Sequence, residues 1–479
     1  MLRPWIAAGA VVAIGGPVAA PRAALADSTS VHATVVGTMA ATDNVLNAPD
    51  GQPKDGDILV QVRPGVLFVW ETPKMIQELV GEVEALEFLR HNDQPSLGVH
   101  AASRAFYTPG PLSTLTTVVD VATGQASALT TRSAPDATGV ALQPSQLIYT
   151  ENGTISESGN HQATLSTSVH ETASGQYVHT DDDGTGDPIR HQHTQTLAEI
   201  ATLLGGVTHV WAHDSLQFDL GVQFLHLEEA APLGSPPGSD RLDREINPQG
   251  TAFWRHDFDK HWSGGLQAGL VVVDPVGRDP FNPTLSTDAQ YLPVVNLLAA
   301  YTDDWGRAVL TAGRTVTPNL FVAQNTENYI SQLQVAVPLS FGDDIKRGPP
   351  HVVAAGSIGY IRTTLLDNEL GMDAGSFDIV HMDGGLAWTP RSDLTYGVRF
   401  EYFKQIGEAS NNPAVQFFDF SRTTLFFTIA GRWPSRVVAE VPQKQSLRAD
   451  GRDTSPAGEV VVPDEPTEST GGPDGGGNR

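Results

Sequence analysis

The chain has 479 residues, a formal net charge of −26 and no cysteine. The missing cysteines exclude disulfides and thiolate metal or redox sites, and the acidic balance argues against a nucleic-acid binder, which needs a basic footprint. Mean hydropathy is −0.16, and after the N-terminus no apolar run reaches the length of a membrane-crossing helix.

Residues 1–26 read as a secretory signal peptide. Met1-Leu2-Arg3 is a short positive start, Trp5 to Ala20 is apolar or small, and Ala24-Leu25-Ala26 offers a small-x-small cleavage site. Gly15, Gly16, Pro17 and Pro21 break the segment as a permanent anchor, and with no cysteine after the cleavage site a lipoprotein is excluded.

Residues 27–433 carry period-two alternation. Ile58, Val60, Val62, Val66, Phe68 and Trp70 alternate with Gln61, Arg63 and Gly65. Leu216, Phe218, Leu220, Val222 and Phe224 alternate with Gln217, Asp219, Gly221 and Gln223. Leu394 to Tyr402 sets aromatic and aliphatic residues against Arg399 and Glu401, and Thr423 to Trp433 repeats the pattern. A charge pair opposite aromatics suits a wet interior and suits a dry sandwich core poorly. The expected fold is therefore all-β, an antiparallel transmembrane barrel of the bacterial outer membrane. Such strands alternate lipid-facing with lumen-facing residues, which keeps averaged hydropathy near zero.

Strands are expected near 31–42, 57–71, 74–90, 96–107, 112–131, 146–156, 161–173, 192–211 and 215–227. The others are expected near 249–258, 262–273, 288–302, 305–316, 327–340, 351–364, 375–389, 393–405 and 421–433. The total is about eighteen, within sixteen to twenty, and single-chain bacterial barrels have an even number. Residues 74–90 also fit an amphipathic helix through Ile76, Leu79, Val80, Val83, Leu86 and Leu89. Their place between a strong strand and a hairpin neighbour favours a strand with Glu78, Glu82 and Glu84 on one face.

Connections alternate short and long. Thr72-Pro73-Lys74, Thr108-Pro109-Gly110, Ala212-His213-Asp214, Asp259-Lys260, Asp303-Asp304 and Pro390-Arg391-Ser392 read as short turns; 228–248, 274–287 and 407–420 read as long loops. Barrels place the short turns on the periplasmic side. Trp70, Trp211, Trp262, Trp305, Trp388 and Trp433 lie near those turns or the last strand's end, as a periplasmic-side aromatic girdle would. Residues 434–479, rich in Pro, Gly, Ser, Glu and Asp, read as a disordered periplasmic tail.

No catalytic constellation emerges: there is no Gly-x-Ser-x-Gly elbow, and the 15 histidines are dispersed. The expectation is no enzyme, no cofactor and no metal. The acidic run Asp181–Asp187 has oxygen ligands without the spacing of an EF-hand loop and reads as a solvated loop. Arg190-His191-Gln192-His193 could chelate a transition metal, but an exposed pair is the simpler reading. The candidate functional residues are lumen-lining: Glu82, Glu84, Gln217, Asp219, Gln223, Arg399 and Glu401. About eighteen strands enclose a space too wide for side chains to fill, and polar residues there tune what passes.

Around Thr42-Asp43-Asn44-Val45, and at Gly313-Arg314-Thr315 with Thr317-Pro318-Asn319-Leu320-Phe321, the chain resembles outer-membrane barrels of myxobacterial-type exopolysaccharide export systems. The resemblance covers about residues 30–433 as architecture. It implies a conduit in the outer-membrane lipid for a secreted polysaccharide, working with a periplasmic polysaccharide-export protein and an envelope-spanning copolymerase; it brings no catalytic residues. A general diffusion porin for small solutes and an adhesive barrel with a plugged lumen are the alternatives.

Overall fold

The structure, a computed structural model, describes residues 28–90 except 46, 96–126, 148–181, 196–229, 241–276, 289–319, 324–339, 352–366, 375–407 except 392, and 419–433. The signal-peptide segment, the tail, the run after Asp181 and the segment Arg190–His193 lie outside the described residues.

Eighteen strands form one antiparallel sheet. They are β1 (Ser28–Thr42), β2 (Asp57–Thr72), β3 (Met75–Phe88), β4 (Ser96–Gly110), β5 (Ser113–Ala126), β6 (Ile148–Gln162), β7 (Thr167–Asp181), β8 (Thr196–Val210) and β9 (Asp214–Glu229). The second half comprises β10 (Arg241–Asp257), β11 (Trp262–Pro275), β12 (Gln290–Asp303), β13 (Gly306–Asn319), β14 (Gln324–Pro338), β15 (Val352–Leu365), β16 (Ser376–Arg391), β17 (Leu394–Gly407) and β18 (Phe420–Trp433). Each strand pairs with its sequence neighbours, and β1 also pairs with β18, Ala33 opposite Trp433 through Thr42 opposite Thr424. The ring is closed and no edge is left to pair with another chain. Among the described residues there is no helix.

The outer and inner faces follow the alternation. On β9, Phe218, Leu220 and Phe224 are exposed on even positions, whereas Asp219, Leu225 and Leu227 on odd positions are buried. On β2, Val62 and Val66 are exposed outside, and Leu59, Leu67 and Val69 are buried inside. The segment with two possible periodicities is a strand, β3, with Glu78, Glu82 and Glu84 on its inner face and Leu79 and Val83 exposed on its outer face. Pairing with both neighbours overrides the local helical spacing.

Several expected boundaries shift. The β6–β7 turn falls at 163–166, not 157–160, closed by Ala163 N–H donating to Thr167 O at 2.9 Å. The outer positions of β6 read Glu151, Gly153, Ile155, Glu157 and Gly159, so no apolar rhythm marks where this hairpin ends. The β4–β5 turn is Pro111-Leu112, because β4 runs through Pro109 to Gly110 after an irregularity past Tyr107. Similarly, β16 runs through Pro390 to Arg391. Strand β10 starts at Arg241, earlier than the expected 249. Its outer positions there read Leu242, Arg244, Ile246 and Pro248, so a cation and a proline interrupt the apolar alternation.

The turn between β10 and β11 has a specific lock. Asp259 accepts the backbone N–H of His261 at 2.7 Å and of Trp262 at 2.8 Å. Those two donors, His261 first, hold its carboxyl below the usual carboxylate range. A depressed carboxylate contributes stability that is present above its unfolded pKa and is lost as pH falls through its folded pKa. Protection of the His261 and Trp262 amides, corrected for intrinsic exchange, should therefore fall in acid below the ordinary carboxylate range. An Asp259→Asn variant should lose that dependence; identical profiles for the two proteins would refute the lock.

Candidate functional site

The inner wall is polar, with apolar patches among the polar residues toward the long-loop end. On β3 and its neighbours, Glu82 faces His100 of β4, whose Nδ1 is 3.3 Å from Glu82 Oε2 and whose Nε2 is 2.8 Å from Asp120 Oδ2 on β5. Glu82 has room because residue 65 opposite it on β2 is glycine; a Cβ there would sit 2.7 Å from Glu82 Cγ and 2.8 Å from Thr34 Oγ1. Glu84 lies two positions along the same inner face, opposite Gly98.

A second group spans β7 to β9. His170 Nε2 is 2.6 Å from Asp219 Oδ1, and Gln217 Nε2 donates to Asp219 Oδ2 at 2.8 Å. Gly206 on β8 lies opposite Asp219, and a Cβ there would collide with both the carboxylate and the imidazole. Gln223 is on the same inner face, opposite Thr202 and Asn247, away from the His170 group.

The third group joins β16, β17 and β18 to the connection 43–56. Glu401 Oε1 is 3.4 Å from Arg422 Nη2, and Glu401 Oε2 is 3.5 Å from Arg399 Nη2 and 3.9 Å from His381 Nε2. The Arg422 side chain is only 4% exposed. It also donates from Nη1 to Asn47 Oδ1 at 3.1 Å. Asn47 has φ of 49°, a left-handed conformation that asparagine tolerates better than most residues. Asn44 Nδ2 donates to Ala48 O at 3.0 Å and to Ser421 O at 3.1 Å. Val45 packs with the inner residues Leu59, Leu86, Phe88 and Phe426. The first connection is thus seated on the inner wall at the barrel's mouth.

At that end apolar patches interrupt the polar inner wall that a wet lumen requires. Side chains at this end also pack against one another as a core. Ile361, Phe377, Ile379, Phe403 and Phe420 form one such patch and Ala198, Leu225 and Leu227 another. Polar pairs close the same level: Asn247 donates to Glu245 at 2.8 Å, Asn325 donates to Glu245, and Thr363 donates to Asn328 at 2.6 Å.

All seven sequence candidates face inward, but they do not form one site. Glu82 and Asp219 belong to separate histidine clusters, and Arg399 and Glu401 belong to a third. His100, Asp120, His170, His381 and Arg422 were not singled out from sequence. Arg422 could have been, since it shares the inner face of β18 with Thr424 and Phe426. Asn44, in the Thr42-Asp43-Asn44-Val45 motif, ties the seated connection to β18. Among the described residues no group of three or more His, Asp or Glu side chains is placed to hold a metal ion.

The tryptophans lie outside, at the short-turn end. Trp211, Trp262, Trp305, Trp388 and Trp433 are exposed, and Trp70 is half-buried on the outer face of β2. Trp254, unselected from sequence, joins them, donating from Nε1 to Asp214 Oδ1 at 3.0 Å. Tyr301 lies 4.8 Å from Trp262 and 5.6 Å from Trp305 between ring centres, and Trp388 stacks on Tyr396 at 5.3 Å.

No protein-family model matches this chain, and no curated protein matches it. Among solved structures it is similar to Acinetobacter baumannii OccAB3, with a TM-score of 0.43 and 9% identity over 85% of this chain and 100% of that one. It is also similar to the outer membrane protein OpdK of Pseudomonas aeruginosa, with a TM-score of 0.42 and 11% identity over 84% and 99%. The ferric-catecholate import receptor Fiu of E. coli K12 matches with a TM-score of 0.43 and 10% identity over 84% and 81%. These likenesses are too distant to bear on function.

Proposed function

We propose that the protein is a passive channel of the bacterial outer membrane that admits small polar solutes. The observation that carries this reading is the opposed chemistry of the two faces: exposed Val, Leu, Phe and Trp outside, and ion-paired His, Arg, Asp and Glu inside. A closed barrel satisfies its backbone internally, so such an outer face can meet hydrocarbon. Both described ends of the chain, at Ser28 and Trp433, lie on the short-turn side, the periplasmic side of such barrels.

The connection seated at the mouth supports small solutes over a polymer, since a polysaccharide chain would need that space. The polysaccharide conduit implied by the resemblance, with its periplasmic partner, rests on the same polar interior but requires the connection to leave the wall.

The mature chain reconstituted into phosphatidylcholine liposomes should make them swell in arabinose and progressively less in larger oligosaccharides. A correctly folded barrel that admits no sugar overturns the diffusion reading. Swelling gained only with a periplasmic export protein present would favour the conduit.

A further inference from the structure

Strands β12 to β15 form a groove of about 420 Å³ on the outer face, lined by Val295, Leu297, Ala312, Arg314, Tyr329 and Tyr360. The wall dips there because Ala312 is set between Leu297 and Ser331 in the pairing. Beside the groove, Arg314 and Arg362 flank Tyr329 on either side, about 10 Å apart at two strand spacings. Both lie in the loop-side halves of their strands.

The two guanidiniums are oriented by neighbours. Arg314 Nη2 donates to Glu327 Oε2 at 2.5 Å, and its guanidinium carbon is 5.8 Å from the Tyr329 ring centre. Arg362 Nη1 is 3.9 Å from Asp378 Oδ1, and Tyr360 donates to the same Asp378 oxygen at 2.8 Å. Arg314 Nε is buried without a partner among the described residues. A guanidinium on a lipid-facing wall is costly unless it reaches the headgroup level or a partner, and its planar fork suits phosphate.

We propose that this groove binds a phosphate-bearing membrane lipid. An acyl chain would lie against Val295, Leu297 and Ala312, and the phosphate would meet Arg314 and Arg362, with Glu327 and Asp378 holding the two side chains in position. The inference rests on the membrane reading above.

The test is native mass spectrometry of the folded, detergent-solubilised barrel offered dipalmitoyl phosphatidic acid or dipalmitoylglycerol, which has the same chains without phosphate. Phosphatidic acid should be retained about tenfold better, the value of one charge-assisted hydrogen bond. Arg314→Gln should abolish most of that preference. Ala312→Leu, which fills the groove without touching a charge, should reduce retention of both lipids. Arg362→Gln provides an independent variant if Arg314→Gln fails to fold.

Equal retention of the two lipids, or retention indifferent to these substitutions, would overturn the proposal. Inorganic phosphate bound equally well with the same dependence on Arg314 would assign a free-anion site and overturn the lipid. Failure of the membrane reading has a different signature: the wild-type chain would remain monodisperse without detergent.

Discussion

Leu220→Arg should lower the stability of the barrel folded into phospholipid vesicles by about 2–4 kcal/mol, the cost of an arginine facing lipid near the bilayer midplane. Leu220 is at the middle of β9 and is 75% exposed on the outer face. Gln223 is three positions along on the inner face, where Gln223→Arg should change stability by no more than about 0.5 kcal/mol. Urea titration of refolding into vesicles measures both. The pair isolates the assignment of faces from the general effect of adding a charge, because the substituted residues share a strand. Similar losses for both, or the larger loss at Gln223, would mean that the outer face does not meet hydrocarbon.

Arg422→Ala should destabilise the barrel by about 3–5 kcal/mol, the usual penalty for removing one member of a buried ion pair. Arg399 and His381 remain beside Glu401 and partly compensate, so the lower end of that range is expected. The functional consequence is separate. Without the Nη1 donor, the connection 43–56 loses the tie at Asn47 and is held to β18 by Asn44 and Lys54 at Ser421 and by Asp43 at Thr423, and the mouth should widen on the Asn47 side. Single-channel conductance in planar bilayers and swelling in larger sugars should both rise. Asn47→Gly keeps the left-handed conformation available while removing only the acceptor. It should reproduce the higher conductance with a much smaller stability loss. Unchanged conductance in both variants would show that the seated connection does not limit passage.

These two experiments address features that were unequally legible in the sequence. The outer face of β9 can be read from Leu216 to Phe224 because hydrocarbon on one side and water on the other impose a strict alternation on consecutive residues. The same holds for β17, where Arg399 and Glu401 alternate with Val398 and Phe400. The rhythm fails where its cause is absent. On β6 the outer positions carry Glu157 and Gly159, and the hairpin turn lies six residues beyond its expected start. At the loop-side end of β10, Arg244 and Pro248 interrupt the outer apolar positions, and the strand reads as a loop.

The sequence by itself determined the all-β class, a closed antiparallel barrel of about eighteen strands, and its place in the bacterial outer membrane. Each depends on nearest-neighbour chemistry within a dozen residues. Only the tertiary structure decided which polar groups meet. Asn47 and Arg422 are 375 positions apart, and His170 and Asp219 are 49. Closing the ring brings β1 beside β18, and the glycines at 65 and 206 leave space for side chains on adjacent strands to touch. Such contacts depend on register between strands, and register is set by the whole sheet rather than by the residues that make the contact.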